Sequence, residues 1–156
     1  MADQMRYHAS CEYEPDQVND IFDRHIYRDL CWTKIEVDGQ QLPCNYFSDP
    51  HDIALGLLTD GFAPFQRRKT TAWPIIVYNY NLPPDIRFHH QYTILCLGVV
   101  PGPKKPKDFD SFLWPAVEEF LMLVLGTRAY DALLHKLFLL WAHLILIGGD
   151  IPAIFC

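Results

Sequence analysis

The chain has little of what would mark it as secreted, membrane-spanning or metal-stapled. Met1–Tyr13 contains no apolar stretch with a cleavage site, so no signal peptide is expected. The most apolar segment, Leu137–Ile147, is about half the length that spans a bilayer and carries His143. It reads as core. The five cysteines (Cys11, Cys31, Cys44, Cys96 and Cys156) are odd in number and irregularly spaced, with no Cys-x-x-Cys. That pattern predicts neither a disulfide framework nor a zinc site, and it suits reduced thiols in a cytosolic or nuclear protein. There is no internal repeat, no low-complexity segment and no excess of basic charge. A net charge of −6 argues against a compact, self-sufficient DNA-binding module. It leaves room for a nuclease, whose acidic site is neutralised only when cations bind.

What is present suits a globular domain. Half of the 156 residues are apolar, and about two-thirds of the unfolded surface of such a chain can be buried. Between Asp16 and Leu30, Val18, Ile21, Phe22 and Ile26 recur at helical spacing, which predicts a short amphipathic helix. Thr33–Leu42 then alternates apolar and polar residues around Asp38-Gly39, a hairpin signal. Residues 1–50 are therefore expected to form an N-terminal arm, helix plus hairpin, packed on a main body over 51–156.

From Ile53 the chain reads as successive strands: Ile53 to Asp60, Trp73 to Tyr80, and Tyr92 to Val100. The second stops at Pro83-Pro84 and the third at Pro101-Gly102-Pro103, because proline cannot donate to a sheet ladder. Asp110 or Ser111 is expected to cap a helix to about Leu125, with Pro115 in its first turn and Glu118 and Glu119 outward. Thr127–Leu137 places Tyr130, Leu133, Leu134 and Leu137 on one helical face. A last strand is expected within Leu139–Ile147.

Two of the apolar runs end alike. Ile53-Ala-Leu-Gly-Leu-Leu-Thr delivers Asp60 to a turn, and Leu144-Ile-Leu-Ile-Gly-Gly delivers Asp150. Paired carboxylates at the ends of neighbouring strands are a means of holding a divalent cation. Three strands, a helical crossover and a further buried strand match the first half of a ribonuclease H-like α/β domain. In that topology the first and fourth strands are neighbours, which would join acids about ninety residues apart in sequence.

With those residues in hand, the chain resembles the transposases of CACTA (En/Spm-type) DNA transposons, particularly fungal copies. The resemblance runs from about Phe47 to the end. It rests on Asp52-Ile-Ala-Leu-Gly-Leu-Leu-Thr-Asp-Gly-Phe-Ala-Pro-Phe65, Trp73-Pro-Ile-Ile76, Tyr80-Asn-Leu-Pro-Pro84, the run from Pro101-Gly-Pro-Lys104 to Trp114-Pro115, and Gly149-Asp-Ile-Pro-Ala153. It implies a ribonuclease H-like DDE nuclease that cuts transposon ends and joins the freed 3′-hydroxyl to target DNA. By the same resemblance Asp60 is the first acid and Asp150 the second. Both would be ligands of Mg²⁺ or Mn²⁺, and the site of action would be the nucleus. Residues 51–156 would then be an incomplete catalytic core. The family's third acid lies beyond the Asp-Ile-Pro segment, and no Asp or Glu follows Asp150 here. A fragment with little strand-cutting activity of its own is the expectation. Leu58 stands where the family often has Ser, a change expected to affect packing.

Each feature also has a plainer reading. Asp60 before Gly61, and Asp150 before Ile-Pro, are ordinary turn residues when taken alone. Asp108 and Asp110 are better read as helix caps than as metal ligands. The basic loops, Arg67-Arg68-Lys69 and Lys104-Lys105-Pro-Lys107, suit phosphate contacts, but ordinary solvated charge is the plainer reading of them. His89, His90 and His143 read as surface or satisfied core histidines. Phe62, Phe65, Trp73 and Trp114 read as core aromatics, and Cys44 and Cys96 as small buried hydrophobes. The alternatives to a catalytic fragment are a non-catalytic interaction protein, self-associating or pairing with a full-length transposase, and a genomic remnant.

Overall fold

The computed structural model describes residues 3–11, 17–64, 71–88, 93–102 and 106–149. Near the N-terminus a 3₁₀ turn, Gln4–Arg6, leads into the short helix α1 (Tyr7–Ser10). The amphipathic helix expected from Asp16 to Leu30 is instead a 3₁₀ turn, Ile21–Asp23, followed by α2 (His25–Trp32). The reason is local. Asp20 Oδ1 accepts from the Ile21 amide at 2.6 Å, and Asp23 Oδ2 accepts from Asn19 and Asp20 amides at 2.7 and 2.9 Å. These side chains take the amides into a capping box and delay the helix. The expected hairpin is present as β1 (Lys34–Val37) and β2 (Gln40–Asn45). Its turn has φ 51° at Asp38 and φ 75° at Gly39, the left-handed pair that a two-residue turn needs.

The main sheet has four strands. Strands β3 (Ile53–Thr59), β4 (Thr71–Asn79) and β5 (Ile94–Gly102) form an antiparallel meander, and β8 (Ala142–Gly149) runs parallel to β3. This is a mixed α/β architecture. β5 does not stop at Pro101, which pairs with Ala72. As an edge strand it needs no outward N–H, so proline is tolerated there. The short helix α3 (Pro84–Arg87) follows β4. The crossover to β8 begins with α4 (Asp110–Leu125). Neither Asp110 nor Ser111 caps it; Asp108 Oδ1 accepts from the Ser111 amide at 3.2 Å. Pro115 lies inside the helix, beyond its first turn.

The helix expected over Thr127–Leu137 is a hairpin, β6 (Thr127–Asp131) and β7 (Lys136–Leu140). Gly126, at φ 93°, ends α4 in a conformation that L side chains rarely adopt. Asp131 Oδ1 then accepts from the Leu133 and Leu134 amides at 2.8 and 3.0 Å, which fixes a turn where a helix would need those amides. Leu133, Leu134 and Leu137 are exposed, so their helical spacing marked no buried face. The last expected strand is split at Trp141 between β7 and β8.

Both faces of the sheet are covered in part. On one, Leu55, Leu57, Ile75 and Val77 meet Phe120 and Leu123 of α4. On the other, Ala54 and Tyr80 meet Phe22 and Phe47 from the N-terminal segment. Buried polar ties hold that segment down. Asn81 Nδ2 donates to the Met5 and Asp52 carbonyls at 2.9 and 2.7 Å, and its Oδ1 accepts from the Ala54 amide at 2.8 Å. The Arg87 guanidinium meets both carboxylate oxygens of Asp20, with Nη1–Oδ1 at 2.8 Å. No helix among the described residues is long and apolar enough to cross a membrane.

Candidate functional site

The parallel pair β3–β8 ends in the rung Thr59↔Gly149. Seven residues of β3, all but Ile53 and Leu58 buried, bring the chain to this end of the sheet. The next residue after Thr59 is Asp60, which is exposed. Among the described residues no hydrogen bond or ion pair engages its carboxylate. The residue after Gly149 is Asp150, which lies outside the described residues. Thr59 is buried, and its hydroxyl has no hydrogen-bond partner among the described residues.

The ladder between β3 and β4 is interrupted at this point. Thr59↔Ile75 is its last regular rung, and Phe62↔Ala72 is an isolated bridge beyond it in the same register. In the gap, Gly61 packs against the indole of Trp73: a Cβ at Gly61 would stand 2.5 Å from Nε1 and 2.8 Å from Cε2. Only a glycine permits that approach.

An uncommitted carboxylate suits a hard cation, which takes oxygen ligands. Among the described residues, no group of three or more His, Cys, Asp or Glu side chains is placed to hold a metal ion. Of the basic residues read as phosphate contacts, Lys107 is exposed, whereas Arg67, Arg68, Lys69, Lys104 and Lys105 lie outside the described residues. So do His89, His90, Phe65 and Cys156. Trp73 is buried as expected, but Phe62 and Trp114 are exposed, and Cys96 is exposed rather than buried. The Trp114 indole donates outward to Glu118 at 2.9 Å.

A second polar cluster sits at the opposite end of β3 and was not anticipated. Asp52 is 1% exposed, and its Oδ1 has no partner among the described residues. Burial pushes its carboxyl up to about 6, against the pull of the Asp49 amide. His143, also 1% exposed, has no hydrogen-bond partner for either ring nitrogen among the described residues and packs edge-on to Tyr46 and Phe47. Burial, then the neighbouring His8, takes it down to about 4. It is a core histidine, though not a satisfied one. Nearby, His51 lies between Asp49 (Nδ1–Oδ1 2.7 Å) and Asp131 (Nε2–Oδ2 3.0 Å), with Arg6 on Asp131 at 2.7 Å. The Leu134 amide first, then His51, holds the Asp131 carboxyl down at about 2. Asp60 lies eight positions along the chain from Asp52, about 26 Å of strand rise. This cluster anchors the hairpin and the N-terminal segment; it is not part of the Asp60 end. Besides His143, the sequence signal for it was the Ser48-Asp-Pro-His-Asp52 run before an apolar strand.

Neither a curated protein nor a solved structure matches the chain. The model of a protein family, transposase family tnp2, matches residues 22–155, well upstream of the Phe47 at which the resemblance was expected to begin. Most of the chain lies within that match, and the chain accordingly belongs to transposase family tnp2.

Proposed function

We propose that the chain carries a ribonuclease H-like DDE catalytic fold, with Asp60 and Asp150 as two of its metal-binding carboxylates. One observation carries this reading: β3 and β8 are parallel neighbours that end together at Thr59↔Gly149, and an Asp follows each in sequence. The strand order β5-β4-β3-β8, with only β8 parallel to β3, supports the ribonuclease H-like topology. The Thr59–Phe65 and Pro101–Lys104 runs support the CACTA (En/Spm-type) assignment, the fungal copies included.

In this reading the two carboxylates would hold Mg²⁺ or Mn²⁺. When bound, such ions stabilise the charge that develops on the attacking and leaving oxygens during displacement at phosphorus. The chain's own contribution is placement. Buried β3 fixes the height of Asp60, and its ladder to β8 fixes the spacing of the two strand ends. Lys107 and the other basic residues of the two loops would meet DNA phosphates, a contact that carries no sequence information. A nuclear site of action follows from a chromosomal DNA substrate.

The test is Mn²⁺ binding followed by electron paramagnetic resonance. The reading requires bound Mn²⁺ that is lost in both Asp60→Asn and Asp150→Asn. Binding indifferent to both substitutions contradicts it.

A second reading is self-association without catalysis, favoured by the edge strand β5. Ile94, Leu95, Leu97 and Val99 are exposed on it, and no charged residue guards it. Pro101 blunts only the far end of this edge, and the apolar stretch before it offers a strand for pairing with a second copy of the chain. Sedimentation at rising concentration tests this: a monomer throughout counts against it.

A further inference from the structure

Pro74 lies inside β4, a strand paired on both sides. A proline there removes one ladder donor, and the register identifies which one. Across an antiparallel pair, rungs alternate between those that exchange two backbone hydrogen bonds and those that exchange none. Phe62 and Ala72 exchange both, at 3.0 and 2.9 Å. Further along, the Tyr80 amide donates to the Ala54 carbonyl at 2.9 Å, in the same phase. Asp60 opposite Pro74 is therefore an exchanging rung, and the missing N–H is the one that the Asp60 carbonyl would accept.

The next rung, Gly61 opposite Trp73, exchanges no hydrogen bonds, and in such rungs the chains approach most closely. Glycine there admits the Trp73 indole over the backbone, with the ring 2.5 Å from where a Cβ would be. The same two residues of β4 thus loosen the sheet at Asp60 and fill the space beside it. Register resumes at Phe62 without a bulge.

We propose that Trp73 and Pro74 are positioning residues for Asp60: the missing rung frees the Asp60 backbone from the sheet, and the indole over Gly61 sets where it stands. This inference rests on the reading of Asp60 as a metal ligand. It assigns a role to the Trp-Pro pair beyond that of core and strand.

The experiment compares Mn²⁺ affinity and thermal stability across four variants. Pro74→Val restores the donor, and its new amide should be protected from hydrogen exchange by the Asp60 carbonyl, a check that needs no metal. Its Mn²⁺ affinity should fall roughly tenfold, the scale at which supporting residues act on metal sites, while stability is kept or raised. Gly61→Ala, which displaces the indole, and Trp73→Leu, which removes it, should each weaken binding as well. A purely structural role would move stability and leave affinity alone. Unchanged affinity in Pro74→Val, with Asp60→Asn abolishing binding, overturns the positioning role and spares the metal site. Binding that survives Asp60→Asn overturns both.

Discussion

Gly56 lies directly against the ring of Tyr80: a Cβ built at Gly56 would stand 2.6 Å from Tyr80 Cε2 and 3.3 Å from its hydroxyl. Tyr80 is buried against the N-terminal segment, so the ring has little room to retreat. Gly56→Ala should therefore cost about 1–3 kcal/mol, the scale of overpacking in a core. Gly98, in the edge strand, has nothing within 4 Å of its would-be Cβ. Gly98→Ala should be neutral, or stabilising by up to about 1 kcal/mol, as expected for glycine in a strand. Urea unfolding of the two variants reads the contrast.

The Arg87–Asp20 pair predicts an asymmetry. Both side chains are almost fully buried, at 3% and 2% exposure. Arg87→Met alone leaves a buried carboxylate without its counter-charge and should cost about 3–5 kcal/mol. Adding Asp20→Asn, which keeps an oxygen for the Ile21 amide, should recover much of that loss. Thermal unfolding of the single and double variants measures it.

Asp52 and His143 predict opposing pH effects. Asp52 is raised from 3.8 to about 6, so the folded state holds its proton more tightly. Its stabilisation is complete below pH 3.8 and is lost as pH rises through 6. Asp52→Asn should thus be more stable than the parent at pH 7, by up to about 3 kcal/mol, and lose that advantage near pH 4. His143 is lowered from 6.5 to about 4, so its contribution is complete above pH 6.5 and is lost as pH falls toward 4. His143→Phe should flatten that acid limb. Denaturation midpoints between pH 4 and 7 separate the two residues.

The parts of the fold that were legible in the sequence are those set by neighbouring residues. Asp38-Gly39 supplied the positive-φ turn of β1–β2, and the apolar run Ile53–Thr59 supplied a buried strand. Thr127–Leu137 misled because its leucines repeat at helical spacing while the Asp131 side chain makes the turn locally. The polar cluster was invisible for a different reason. Arg6 and Asp131 are 125 residues apart, and no local pattern joins them. At the candidate site, Asp60 was legible as an acid at a strand end. The role of Pro74 was not, because it depends on which rung of the ladder faces Asp60.

In the proposed site one cation draws on two strand ends. Iron-directed cleavage tests it most directly: Fe²⁺ with ascorbate replaces the native cation and cuts the backbone beside its ligands. Two cuts are expected, near Asp60 and near Asp150, identified by mass spectrometry and suppressed together by Mg²⁺. Asp60→Asn should abolish both, including the cut about ninety residues away in sequence. Cuts elsewhere, or a cut near Asp150 that survives Asp60→Asn, would contradict the shared site.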